Sequence, residues 1–377
     1  MSTDTNTNSL FSKVFKRSPD ADYLEGAAPW RIGLSMAATW SWGAAIAVAI
    51  SVLHTMGIAP FVVWVTFNCL SIGLFGLYYR YIPNVSRWKT LLPMLLMWGF
   101  IGYFAIVMNL NTILAVLGGN MDIPATGFMT ETYALYTTIA IGLAITWIIG
   151  VYGLRGSVLT DVGQLSLQFV GAIGILVVGL ANGYSPSFEM GLDQQSFMIT
   201  ASMGFIFGAT ASGMQWQRME TLPDRDDQFK ASLWGSAIFT AFMLVVAPAA
   251  FVFTGDVWQS AFLVIGALAV ATSTADSGSA LLQYISQRFY LPASGGTILT
   301  LAAVLSFHLL ADMGLTGIWS FYASVRWQVI LALIVGTLIY NVVGVPDSVK
   351  AFARKVRFVL DDQVLSDEKV QKYYADD

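Results

Sequence analysis

Apolar segments of about 20 residues or more, separated by short polar punctuation, recur along this 377-residue chain between residues 30 and 344. A helix of that length crosses a hydrocarbon core about 30 Å thick. The pattern predicts ten spans, at 30–56, 59–80, 91–118, 132–152, 160–182, 197–213, 231–254, 258–288, 294–311 and 316–344. These continuous runs exclude a transmembrane β-barrel, whose strands alternate over about ten residues. Composition argues the same way. Hydrophobic residues make up 56% of the chain, charged residues 11%, and the mean hydropathy is +0.65. A water-soluble domain carries about 25% charged residues, so this chain has too few to cover a wetted surface of its size.

The basic residues test the topology independently, because Lys and Arg concentrate in cytoplasmic loops. With the N-terminus inside, cytoplasmic segments receive Lys13, Lys16, Arg17, Arg31, Arg80, Arg87, Lys89, Arg155, Arg218, Arg225, Lys230 and Arg288. The tail adds Lys350, Arg354, Lys355, Arg357, Lys369 and Lys372. Of the nineteen basic residues only Arg326 stands outside this pattern, and the outer loops 119–131 and 183–196 contain none. Both termini are therefore expected to be cytoplasmic. The expected organisation is an N-terminal segment 1–29, a ten-helix core 30–345 and a tail 346–377, with a surface-lying helix near 347–360. The polar first 27 residues lack the apolar core of a cleavable signal peptide.

Several chemistries are excluded. The net charge of −4 gives no footprint for nucleic acid, the single Cys69 cannot form an intrachain disulfide, and His54 and His308 are too far apart in the sequence for a zinc motif. The chain has no phosphate-cradling glycine loop and no nucleophile elbow, so an enzyme is not expected.

Ten spans divide into five plus five, as in the inverted repeats of many secondary transporters, whose first helix in each half is broken near the midplane. The halves would cover about 30–182 and 197–344. Span 1 concentrates small and polar residues from Ser35 to Gly43, and span 6 from Gly204 to Gly213. Such stretches suit either a broken helix lining a cavity or close helix packing. Span 8 inserts Thr272-Ser-Thr-Ala-Asp-Ser277 into an apolar run, with Ser273, Asp276, Ser277 and Ala280 on one helical face. Hydroxyl and carbonyl oxygens can replace the hydration shell of a small cation, and an intramembrane carboxylate is functional by default. Hydroxyls bonding back to their own helix are the plainer alternative.

These segments resemble the sodium:solute symporter family. Thr272-Ser-Thr-Ala-Asp-Ser277 is similar to its eighth core helix, and Tyr152-Gly-Leu-Arg…Thr160-Asp-Val-Gly-Gln164 to the entry of its fifth. Met214-Gln-Trp-Gln-Arg-Met219 is similar to the Arg-containing end of its sixth, and Thr39-Trp-Ser-Trp-Gly-Ala44 to the first helix of the urea/polyamine branch. The resemblance implies an all-α, LeuT-like transporter of the cell (inner) membrane, driven by Na+ as coupling ion. It implies Na+ ligands at the backbone carbonyls of Ala38, Ser41 and Val270 and the hydroxyls of Ser273 and Thr274. Asp161 would serve a second cation position or the inward exit path; with Thr160, it would also suit the positive start of span 5 as a cap. Two departures stand out: Tyr152 replaces the first glycine of the family's pair, and Trp40 stands where several relatives place a small or acidic polar residue.

The partners implied are Na+, the lipid bilayer and a small polar solute, urea-like or otherwise nitrogenous. Trp40, Trp42, Asn68, Asn109, Asn111 and Thr210 are the candidate solute contacts. A proton-coupled amino-acid or amine carrier of the same fold, and a transport-dead sensor or scaffold, remain alternatives.

Overall fold

The computed structural model describes residues 28–41, 45–81, 92–119, 125, 127–184, 187–222, 224–289 and 293–313, with single positions between 317 and 335. Trp42, Arg326, most of the tenth span and the tail helix expected near 347–360 lie outside the described residues.

All regular elements among the described residues are helices. They are α1 (Pro29–Trp40), α2 (Ala45–Met56), α3 (Ile58–Tyr81), α4 (Leu92–Gly118), α5 (Glu131–Ala181), α6 (Gln195–Ile206), α7 (Gly208–Ala211), α8 (Gly213–Met219), α9 (Arg225–Phe251), α10 (Val257–Arg288) and α11 (Ala293–Ser306), followed by a 3-10 helix at Phe307–Met313. Six helical stretches among the described residues are long and apolar enough to cross a membrane. Large apolar side chains such as Val177, Leu180, Leu244 and Leu305 are exposed, as lipid-facing positions require. The chain is a multi-pass membrane protein.

The first expected span is described on either side of residues 42–44, and the sixth is interrupted. Helix α1 opens on a proline in its first turn, where the missing N–H costs nothing, and ends at Trp40 with Ser41 as its cap. The sixth span is divided at Phe207 (φ −104°, ψ 11°) and at Ser212, which is extended (φ −89°, ψ 107°). It also runs further than the expected end at 213: α8 carries the chain on to Met219 with all seven of its residues buried. Neutral small residues at the break hid that continuation, because the apolar run stops there in the sequence.

The fourth and fifth spans meet without the expected 153–159 loop. A straight 51-residue helix would be about 76 Å long, far more than a bilayer needs. Gly153 (φ 55°, ψ −144°) interrupts it. On one side of Gly153 the Ile149 carbonyl accepts from Gln283 Nε2 (3.2 Å), and on the other Ser157 Oγ donates to Asp276 (2.7 Å). Helix α11 runs back along α10, with Thr300 bonded to Ser279, and Gly142 lies against Val304 one turn further on. Gly142 and Ser157 thus stand at the same level of α10, and the chain reverses direction between them. Leu154, Gly156 and Ser157 are buried immediately after the turn, which is why no solvated loop forms.

Glycines let the helices close up. Helix α9 packs along α1 and α3, and α10 along α5 and α4. A Cβ on Gly33 would come within 2.6 Å of the Ala231 carbonyl, and one on Gly171 within 2.6 Å of Gly266 Cα. Some small residues therefore serve packing, as membrane helix interfaces commonly do. At one end of the bundle, Ile58 and Ala59 donate their backbone N–H groups to the carbonyls of Glu189 and Met190 (both 2.9 Å). Segment 187–190 thereby satisfies two orphan donors at the start of α3.

Gly153→Ala should destabilise the fold by about 1–3 kcal/mol, because its backbone region is essentially reserved for glycine. Gly163→Ala, whose added Cβ would meet no atom within 4 Å, should match or exceed the wild type. Melting curves in detergent check this; equal melting of Gly153→Ala and wild type would contradict the strained turn.

Candidate functional site

The face of α10 that carries Ser273, Asp276, Ser277 and Ala280 is wholly buried, as its helical spacing predicts. Opposite it, Ser157, Asp161, Gln164 and Gln168 of α5 repeat at the same period and turn towards α10 and α1. Ser157 Oγ, Thr160 Oγ1 (3.0 Å) and Gln164 Nε2 (3.2 Å) all reach the Asp276 carboxylate. Thr160 and Asp161 lie in the second and third turns after Gly153, well inside the helix. Thr160 bonds back to the Gly156 and Ser157 carbonyls. The capping role expected for this pair therefore does not hold; Asp161 is 0% exposed and has other work.

That work centres on Arg218. Charge counting placed it in a cytoplasmic segment, but it is 0% exposed, delivered to the interior by α8. Its Nε donates to Ser35 Oγ of α1 (2.7 Å), and its Nη2 to Ser157 Oγ (2.9 Å), Ser277 Oγ (2.8 Å) and Asp161 Oδ2 (3.4 Å). Its Nη1 donates to the Met214 carbonyl (3.2 Å). Ser35 Oγ also donates to Asp161 Oδ2, and Ser273 Oγ to Asp161 Oδ1 (2.8 Å). Four elements thus meet at one guanidinium. With both carboxylates ionised, Asp161 and Asp276 against Arg218 leave one negative charge uncompensated.

Beside this cluster runs the seam between α1 and α10. Thr274 Oγ1 lies 3.4 Å from the Thr39 carbonyl and 3.3 Å from that of Val270, while Thr39 Oγ1 meets Ser277 Oγ (3.0 Å). Ser41 Oγ contacts the Ala38 carbonyl (2.6 Å) and Gln168 Oε1 (2.8 Å). Thr274 and Val270 therefore face α1, Ala38 and Ser41 meet at the end of α1, and Ser273 turns to Asp161.

The solute candidates divide. Trp40 Nε1 donates to the Asn68 carbonyl (3.2 Å), and Asn68 Nδ2 to that of Trp64 (2.7 Å). Asn111 Nδ2 is engaged with the carbonyls of Val107 (3.0 Å) and Phe307 (2.6 Å), tying α4 to the 3-10 helix. Asn109 Nδ2 bonds the Ala105 carbonyl (2.5 Å) and leaves Oδ1 without a partner. Thr210 sits in the broken segment, where Ala209 N bonds Ser71 Oγ (2.9 Å) and Trp216 Nε1 bonds the Thr210 carbonyl (2.7 Å). The hydroxyls of Thr210 and Ser212, Gln215 Oε1 and Trp98 Nε1 are buried there without hydrogen-bond partners. Trp98 packs on Trp216 with ring centroids 5.8 Å apart. Groups of this kind are rare unless a ligand or water completes them.

Sequence reasoning missed Ser35, Ser157, Gln168 and Arg218 as site residues. The period of Ser157, Asp161, Gln164 and Gln168 carried a signal for two of them. In sodium-free buffer, Arg218→Met should lower stability by about 3–5 kcal/mol by leaving a buried carboxylate unpaired. The double variant Arg218→Met/Asp161→Asn should recover part of that loss. Additive losses in a double-mutant cycle would mean the two side chains do not interact.

No protein-family model matches the chain, and no curated protein is similar to it in sequence. Its fold is shared with a solved structure described as a substrate-bound outward-open state of a Na+-coupled sialic acid symporter, one that reveals a novel Na+ site. The similarity covers 88% of this chain and 97% of that one, with a TM-score of 0.57 and 15% sequence identity.

Proposed function

We propose that this chain is a secondary active transporter of the sodium:solute symporter kind, built as a LeuT-like 5+5 inverted repeat and working by alternating access. The observation that carries this reading is the buried seam of hydroxyls and carbonyls between α1 and α10, lying beside the Asp161 and Asp276 carboxylates. A buried seam lined by neutral oxygens, beside two carboxylates and one guanidinium, favours a small monovalent cation over a purely structural role. Ala38, Ser41, Val270 and Thr274 would hold Na+ with Ser273, which would turn from Asp161 to join them. The broken sixth span and the fold shared with a Na+-coupled symporter support the same conclusion. The termini would be cytoplasmic and the membrane the cell's inner one.

One charge crossing 100 mV releases about 2.3 kcal/mol. At about 1.4 kcal/mol per decade, this supports roughly 40-fold accumulation of a neutral solute. Solute would bind at the break of the sixth span, against Trp98, Thr210, Ser212 and Gln215, with Asn109 a further contact. Those side chains are neutral and offer both donors and acceptors, which suits urea, an amide or another small uncharged nitrogenous compound.

Proteoliposomes loaded against a Na+ gradient test this with a panel of labelled small solutes. Na+-stimulated uptake of a neutral polar solute is expected, with at least tenfold less stimulation in Ser273→Ala/Thr274→Ala. Unchanged Na+-driven uptake in that variant would remove the ligand assignment. Uptake driven by a proton gradient alone, or no uptake of any solute, would overturn the Na+ symporter reading.

A further inference from the structure

The contacts of Arg218 are not those of an ordinary buried ion pair. Arginine and carboxylate, when paired for strength, meet through two parallel N–H···O bonds. Here the single contact to Asp161 is 3.4 Å, whereas three hydroxyls lie at 2.7–2.9 Å: Ser35, Ser157 and Ser277. These hydroxyls come from α1, α5 and α10, and all three lean in turn on carboxylates: Ser35 on Asp161, and Ser157 and Ser277 on Asp276. Ser273 completes the enclosure by donating to Asp161. One carboxylate and four hydroxyls from three helices form an all-oxygen cage of the kind that holds a hard cation. The cage is filled by the protein's own positive charge, which arrives from α8, immediately beyond the broken segment.

We infer that Arg218 is a tethered cation, occupying a cation position adjacent to the exchangeable Na+ pocket and fixing the transporter at one mobile cation per cycle. The charge count supports this stoichiometry. With Na+ bound and both carboxylates ionised, Asp161 and Asp276 supply two negative charges, of which Arg218 neutralises one and Na+ the other. Replacing the guanidinium by a neutral side chain opens a second vacancy of the same donor type. A lysine, whose ammonium is a compact point charge on a flexible stem, keeps the position occupied. The inference rests on the symporter reading above and deepens it by naming the residue that sets the number of coupled ions.

Equilibrium binding of 22Na+ to the purified full chain in nanodiscs tests it. Wild type and Arg218→Lys should each bind one Na+ per chain. Arg218→Met should bind two, with the Hill coefficient rising from about 1 towards 2, and Na+ should raise its melting temperature more than it raises that of the wild type. Arg218→Met/Asp161→Asn, which keeps the buried charge balanced if the single variant does not fold, should return to one. Two Na+ on the wild type, one on Arg218→Met, or two on the double variant would each overturn the tethered-cation assignment. No Na+ on the wild type would instead overturn the symporter reading on which it rests.

Discussion

A guanidinium held away from water must find every acceptor it needs inside the protein, and that requirement organises the centre of this molecule. Arg218 meets it with oxygens drawn from α1, α5 and α10 in addition to its own helix. Removing a charge of this kind from water costs several kcal/mol even after relaxation, so these elements cannot be rearranged independently. The hydroxyls between them are shared: Ser157 accepts from Arg218 while donating to Asp276, and Ser277 accepts from Arg218 while donating to the Ser273 carbonyl. The polar core is one connected network, and a change at any member is felt at both carboxylates.

Around that core the backbone does most of the fitting. Membrane helices gain nothing from hiding apolar surface from water, so they associate by close approach. Gly33 brings α1 against α9, Gly171 brings α5 against Gly266 of α10, and Gly102 brings α4 against Gly278. These contacts place α10 between α4 and α5 at the depth where its hydroxyl face is needed. The same tightness leaves the interruptions at Phe207 and Ser212 as places where main-chain groups depart from helical pairing. Irregular backbone at membrane depth is tolerated only where protein or a cavity surrounds it.

How much of this could be read from the amino-acid order depends on whether the cause was local. The buried face of α10 was legible because helical periodicity alone puts Ser273, Asp276 and Ser277 together. The interruption of the sixth span was legible from its run of small residues. The abrupt reversal at Gly153 was not, because a polar-looking Tyr-Gly-Leu-Arg stretch suggests a loop, and only packing against α10 removes the need for one. Arg218 was hidden for a different reason. Topology rules count a cation as loop-forming, and the feature that keeps this one inside is an acceptor set spread over residues 35, 157, 161 and 277. Asp161 was singled out, but its burial mid-helix rather than at a helix start follows from the same reversal. The solute contacts were the least legible, since asparagines such as Asn111 look alike in sequence whether they brace two helices or greet a ligand.

The bonding of segment 187–190 to the start of α3 has a mechanical corollary. Those bonds run from main chain to main chain, and at Gly57 (φ 93°) and Gly191 (φ 68°) the two strands of backbone pass close enough that a side chain on either would collide. The connection from α5 to α6 is consequently stapled to the corner between α2 and α3, so a tilt of that corner pulls on the lead-in to the sixth span. Neither glycine can take a side chain there, and Phe188 adds a wedge between His54 and Phe251.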